Sequence, residues 1–225
     1  MRGKHFLLWS LCLVLLCTGC QQTAPDFKDI ASGGMFAYPG TQWNMTPEEV
    51  MAALSLTEEQ FVQVSETETE GCEERIFLSE GHGLRDVPAD LYFWFRSYSG
   101  YPDFGLKGVT WMFEEGADLE PVKRGLEEAL GPMDSAHAEY PLFFWDSENT
   151  LEQYADGTLD GLLNEAVWER MKTEPAAAIT LVDDPPVPLP VASYPAVDAH
   201  AKMVILSSNA ADVMQLGDMA QKSGS

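Results

Sequence analysis

Over Leu91–Tyr98 (LYFWFRSY) the side chains alternate. Leu91, Phe93 and Phe95 fall on one face of an extended chain, and Tyr92, Trp94, Arg96 and Tyr98 on the other. This is the clearest strand signal, with weaker ones at 75–79 and at 106–113, the latter after the Gly- and Pro-rich stretch SGYPDFG, which predicts a turn. Upstream, MTPEEV (45–50) carries a helix start: Thr46 as cap, Pro47 in the first turn, Glu49 closing a capping box and Met45 stapling onto Val50. LTEEQF (56–61) repeats the device, which predicts a helical hairpin of two short helices over about 47–54 and 58–64. A longer helix is expected over 119–130, with Asp118 as cap, Leu119, Val122, Leu126, Ala129 and Leu130 on its apolar stripe, and Gly131-Pro132 as its stop. Farther on, strands are expected at 142–145, 178–183 and 201–207 and helices at 159–171 and 209–216. The proline-dense segment from Asp183 to Pro195 reads as extended, polyproline-like surface chain.

Runs of strands separated from runs of helices argue for an α+β fold, an antiparallel sheet with helices packed on one face. A globular domain spanning 35–218 is expected, followed by a polar tail, 219–225. It would be a single unit or two subdomains divided near 115–135. The second face of the Leu91–Tyr98 strand is either covered by later elements or presented as a recognition surface of Tyr92, Trp94, Arg96 and Tyr98. Coverage is the expected outcome, because large exposed apolar patches are uncommon on soluble domains.

Met1–Cys20 differs from the rest of the chain. Arg2 and Lys4 precede a run of twelve residues, Phe6–Cys17, that is apolar except for Ser10, and Thr18 and Gly19 lead into Cys20. This is the layout of a secretory signal peptide, and the run is short of the about 20 apolar residues that a spanning helix needs. Small residues directly before a cysteine resemble the lipobox of bacterial lipoproteins. The resemblance implies removal of 1–19 and a diacylglycerol thioether on Cys20, and so a lipid-anchored protein on the extracytoplasmic face of a bacterial membrane. Residues 20–34 then read as the lipidated Cys followed by a flexible tether. Fourteen coil residues reach roughly 20 Å, so the domain would work close to the bilayer.

Charge and cysteine content change with that processing. Loss of 1–19 removes two of 13 basic residues and none of 36 acidic ones, which moves the formal charge from −23 to −25. A chain this acidic, with no Lys/Arg cluster, is a poor match for nucleic acid. With that processing Cys12 and Cys17 would leave with the signal peptide and Cys20 would be lipidated. Cys72 alone would remain, so no disulfide framework is expected in the mature chain and Cys72 reads as a small buried residue.

A second resemblance covers a shorter stretch. WNMTPEEVMAALSL (43–56) is similar to the start of small outer-membrane-assembly lipoproteins and of β-lactamase-inhibitor-like modules, and VKRGLEEALGP (122–132) resembles the helix ending of the same motif. It implies a helical hairpin followed by a short antiparallel sheet, present as two diverged copies, with protein binding by the open sheet face. Asn44 stands where that motif usually carries Gly, and the first copy lacks the Gly-x-Pro ending.

Catalytic motifs are absent: there is no G-x-S-x-G, H-E-x-x-H, P-loop or complete dinucleotide fingerprint. His82, His137 and His200 are far apart and share no ligand spacing with Cys72, so neither a metal nor a cofactor is expected. His82, between two glycines in EGHGL, reads as a turn residue. Asp156 and Asp160 in DGTLDG read as a polar turn, without the ligand order of a calcium loop. The expectation is therefore a non-catalytic binding module, held to membrane lipid through Cys20 and acting on an envelope protein or glycan. The alternative is an extracytoplasmic hydrolase built on a carboxylate pair or His82.

Overall fold

The computed structural model describes residues 27–30, 36–69, 72–98, 101–132, 135–137, 142–146, 177–183 and 202–208. Among these residues, three helices, α1 (Phe27–Ile30), α2 (Pro47–Ala53) and α3 (Glu120–Leu130), accompany eight strands. These are β1 (Val62–Thr69), β2 (Cys72–Leu84), β3 (Val87–Tyr98), β4 (Tyr101–Phe113), β5 (Ser135–His137), β6 (Leu142–Asp146), β7 (Ala178–Val182) and β8 (Met203–Ser207). The strands form one antiparallel sheet in the order β1-β2-β3-β4-β8-β7-β6-β5. An α+β class with an antiparallel sheet is therefore what the chain adopts. The expected helices at 159–171 and 209–216, the proline-dense segment beyond Asp183, Met1–Cys20 and the tail lie outside the described residues.

Alternation in β3 sets the core. Leu91, Phe93 and Phe95 are fully buried, and they share one apolar cluster with Val109 and Trp111 of β4, Ile179 and Leu181 of β7, and Val204 and Leu206 of β8. Phe27 and Ile30 of α1, Val50 of α2, and Val122 and Leu126 of α3 belong to the same cluster. α2 begins as its sequence requires. Thr46 accepts the Glu49 N–H at 3.3 Å, and the Glu49 carboxylate accepts the Thr46 N–H at 2.9 Å. α3 ends where expected, with Gly131 at φ 92°.

Several expectations are corrected. No second helix forms over 58–64. Thr57 and Gln60 make their local bonds, Thr57 N–H to Gln60 Oε1 at 3.1 Å, but these close a turn, and from Val62 the chain pairs with β2. A capping box fixes one turn, and cross-strand pairing decides how the chain continues beyond it. The acidic stretch Ser65–Thr69 (SETET) is therefore strand, with Glu66 opposite Arg75. Within the stretch expected to be a tether, Phe27–Ile30 is helical, with Phe27 and Ile30 buried. Gly125 of α3 makes the room: a Cβ there would lie 2.5 Å from the Phe27 ring. Of SGYPDFG, the segment from Tyr101 onward belongs to β4. Asp118 accepts the Glu120 N–H at 3.0 Å but stands one residue before the N-cap, Leu119.

Candidate functional site

The register of the sheet brings together the residues of the second face. Glu74 lies opposite Arg96; Ile76 opposite Trp94, which faces Gly108; and Leu78 opposite Tyr92, which faces Thr110. The last two rows continue through Ser207 and Ile205 of β8. Trp94 lies over Gly108, but an added Cβ would sit 3.8 Å from the Trp94 Cβ, an ordinary contact distance, so the ring covers a strand glycine without depending on its missing side chain.

Burial varies across this face. Thr110, Thr180, Ile205 and Met203, towards β7 and β8, are buried, as are Ile76 and Glu74 on β2. Tyr92, Trp94 and Arg96 are half-buried. The face is thus buried towards β7 and β8, while the three β3 residues keep part of their surface in contact with solvent. The backbone of Tyr98 closes β3 opposite Tyr101.

Arg96 is held in two ways. Its Nε donates to the Glu74 carboxylate, and its guanidinium lies 4.8 Å from the centre of the Trp94 ring. Together these contacts hold the cation between Trp94 and Glu74, so that Arg meets an aromatic ring and a carboxylate at once. Tyr92 sits near Asp90 and Glu80; burial first, then these two carboxylates, pushes its phenol above the ordinary value, so it stays neutral. The patch can therefore offer an aromatic ring with an attached cation and a neutral phenol, groups suited to contact rather than to proton transfer. Glu74, Ile76 and Gly108 complete it. They escaped the sequence reading because Glu74 lies in an acidic run and its register with Arg96 is set by β2–β3 pairing.

His82 is in β2, not in a turn. A β-bulge between Ser79 and His82, with Gly81 at φ 78°, re-aims its ring onto Ser79, whose Oγ lies 2.8 Å from Nε2. Asp90 accepts the Gly81 N–H at 3.0 Å. Ser, His and Asp thus come close, but Ser79 is only 2 % exposed, which suits a structural hydrogen bond better than a nucleophile. A cavity of about 390 Å³ lined by Asp86, Val87, Pro88, Glu114, Ala117 and Asp118 contains none of these three residues. Among the described residues, no group of three or more His, Cys, Asp or Glu is placed to hold a metal ion, and no helix is long and apolar enough to cross a membrane.

Burial lowers the His82 pKa from 6.5, and Asp90 opposes the shift. The unfolded chain therefore takes up this proton at higher pH than the folded domain. The contribution of His82 to stability is complete above 6.5 and is lost as pH falls below that value. Unfolding free energies of wild type and His82→Gln, measured from pH 8 to pH 5, are expected to show a shallower acid-side loss in the variant. Equal slopes would remove His82 as the cause.

Comparison with known proteins returned no matching family model, no matching curated protein and no matching solved structure.

Proposed function

We propose that this chain is a lipid-anchored, extracytoplasmic and non-catalytic binding module. Cys20 would carry the anchor at the membrane, and Tyr92, Trp94 and Arg96, continued along the strand by Tyr98, would contact an envelope protein or glycan. The observation that carries the reading is the state of the β3 face. Tyr92 and Trp94 stay half-buried, and Arg96 is held at Trp94 by Glu74. Rigid aromatic and Arg side chains at a partly desolvated surface are the residue types that dominate binding energy at interfaces.

The architecture that fits this role is a pair of diverged copies with their helices on one side of a shared sheet. α2 would head β1–β4 and α3 would head β5–β8. Supporting this division, the strand order runs up through one four-strand meander and back through the other, with β4 and β8 antiparallel at the junction. Such a sheet would leave the part of its second face around Tyr92, Trp94 and Arg96 for contact.

The test uses the full chain in bacterial cells, with a photo-crosslinking amino acid at Tyr92. A discrete protein or glycan adduct is expected, lost in Trp94→Ala and strongly reduced when Cys20→Ser frees the chain from the membrane fraction. A Cys20→Ser protein that still fractionates with membranes would remove the anchor. Adducts to lipid alone would remove the binding face.

A further inference from the structure

Strand order leaves β1 at one edge of the sheet and the three-residue β5 at the other. An edge strand presents a row of backbone N–H and C=O groups that can template another strand, and natural proteins blunt such edges with Lys, Pro, bulges or a covering element. β1 is eight residues long and contains neither Lys nor Pro. Its bulge lies at one end, between Gln63 and Ser65, and Ser65–Thr69 keeps regular register with β2. Val62, Gln63, Val64, Glu66, Thr67 and Glu68 are all exposed, and Ser65 is half-buried. Val62 and Val64, at 47 % and 38 %, are the exposed large hydrophobics among the described residues.

Charge narrows the occupant. No Lys, Arg or His stands between Lys28 and Arg75, and Glu58, Glu59, Glu66 and Glu68 are exposed around the strand. Arg75 meets Glu66 at 3.2 Å and Glu73 at 2.8 Å, which answers part of this charge from β2. A second copy of the chain, also at −23, would bring acids against acids, and like charges facing each other across strands destabilise the pair. The register also sorts the two faces of β1. Glu66 and Glu68 share the face of Arg75, and Val62 lies in the row of Leu78 and Tyr92 on the other.

We infer that β1 receives, by strand addition, an extended segment of a partner protein in which cationic residues alternate with β-branched or aromatic ones. Its cations would lie beside Glu66 and Glu68, and its apolar side chains would extend the row of Val62, Leu78 and Tyr92. Main-chain bonds supply affinity in this mode and the alternating side chains supply selection. The inference rests on the binding-module reading only in that the domain acts by contact, and it commits that contact to a protein.

The test is fluorescence anisotropy of the full chain with a labelled octapeptide of alternating Lys and Val. An alternating Glu and Val octapeptide, and a Lys and Val octapeptide with two valines replaced by proline, serve as comparators. Expected is saturable binding of the first, weakened at least about tenfold by the prolines and by the double variant Val62→Lys, Val64→Lys. Arg124→Gln, exposed on α3 and away from both the edge and the β3 face, is expected to leave it unchanged. Equal binding of the proline peptide would reduce the effect to bulk charge and overturn the inference, as would binding of the Glu and Val peptide. Self-association of the chain without peptide binding would place a second copy at the edge instead. Loss in Trp94→Ala with no effect of the valine variant would overturn the edge and leave the β3 face standing.

Discussion

Replacing Phe93 with alanine is expected to cost the domain about 3–5 kcal/mol, the usual range for a large aromatic removed from a packed core. Phe93 is fully buried. It lies in a cross-sheet row with Phe77 of β2, Val109 of β4 and, beyond that, Leu206 of β8 and Ile179 of β7. Two aromatic neighbours close over it edge-on, Tyr38 at 5.6 Å and Phe61 at 5.3 Å between ring centres. Both come from chain outside the sheet, so the cavity left by Phe93 would loosen the segments before β1 as well as the sheet itself. For a domain of this size the loss corresponds to roughly 2–4 °C in melting temperature per kcal/mol, or about 6–20 °C altogether. Chemical unfolding of the variant beside Phe93→Leu provides the measurement. A cost under about 1 kcal/mol for the alanine would mean that Phe93 is not the centre of the core.

The residues around Phe93 mark what was legible in the sequence. Alternation told the two faces of β3 apart because each face has its own chemistry, aliphatic and Phe on one, Tyr, Trp and Arg on the other. The capping box of α2 and the Gly131 stop of α3 were legible because they are local devices, complete within a few residues. What escaped depends on distant partners. β1 is written in exposed polar and acidic residues, and it is a strand because β2 lies beside it, with Arg75 near Glu66. Phe27 looked like part of a tether, since a one-turn helix shows no period, and its burial depends on the missing side chain of Gly125 about a hundred positions later.

The candidate site divides in the same way. Tyr92, Trp94 and Arg96 could be picked out from the alternation of one strand, whereas the partner that fixes Arg96 could not. Glu74 is one carboxylate among many in its run, and only the antiparallel register singles it out. His82 shows the opposite error. Flanking glycines read as a turn, but the glycine conformation serves a bulge inside β2, which turns the ring towards Ser79. A glycine thus reports that the backbone needs freedom, and the sheet determines for what purpose.

Gly105 is where that need is most severe, and Gly105→Ala is expected to destabilise the domain by roughly 3 kcal/mol or more. A Cβ on Gly105 would stand 2.4 Å from the Asn44 carbonyl oxygen and 2.6 Å from its carbonyl carbon and Cα. These are backbone atoms, so no rotamer change relieves the overlap. The segment cannot simply withdraw either. Asn44 N–H donates to Leu106 O at 3.0 Å, Leu106 N–H donates to Met45 O at 2.8 Å, and Lys107 Nζ donates to Asn44 Oδ1. Asn44 itself sits at φ 70°, a conformation that Gly and Asn tolerate best, which accounts for an Asn in this position. Movement of 44–45 away from β4 would break those bonds and disturb Thr46, the cap of α2. Gly108→Ala in the same strand is the matched control. Its Cβ would meet Leu206 O at 3.4 Å, an ordinary contact, and a side chain in a strand interior restricts the unfolded chain, so the effect should be near neutral. Denaturant midpoints of the two variants should therefore differ widely although the chemical change is identical. If Gly105→Ala matched Gly108→Ala, the docking of 44–45 onto β4 would not be what holds the entry to α2 in place.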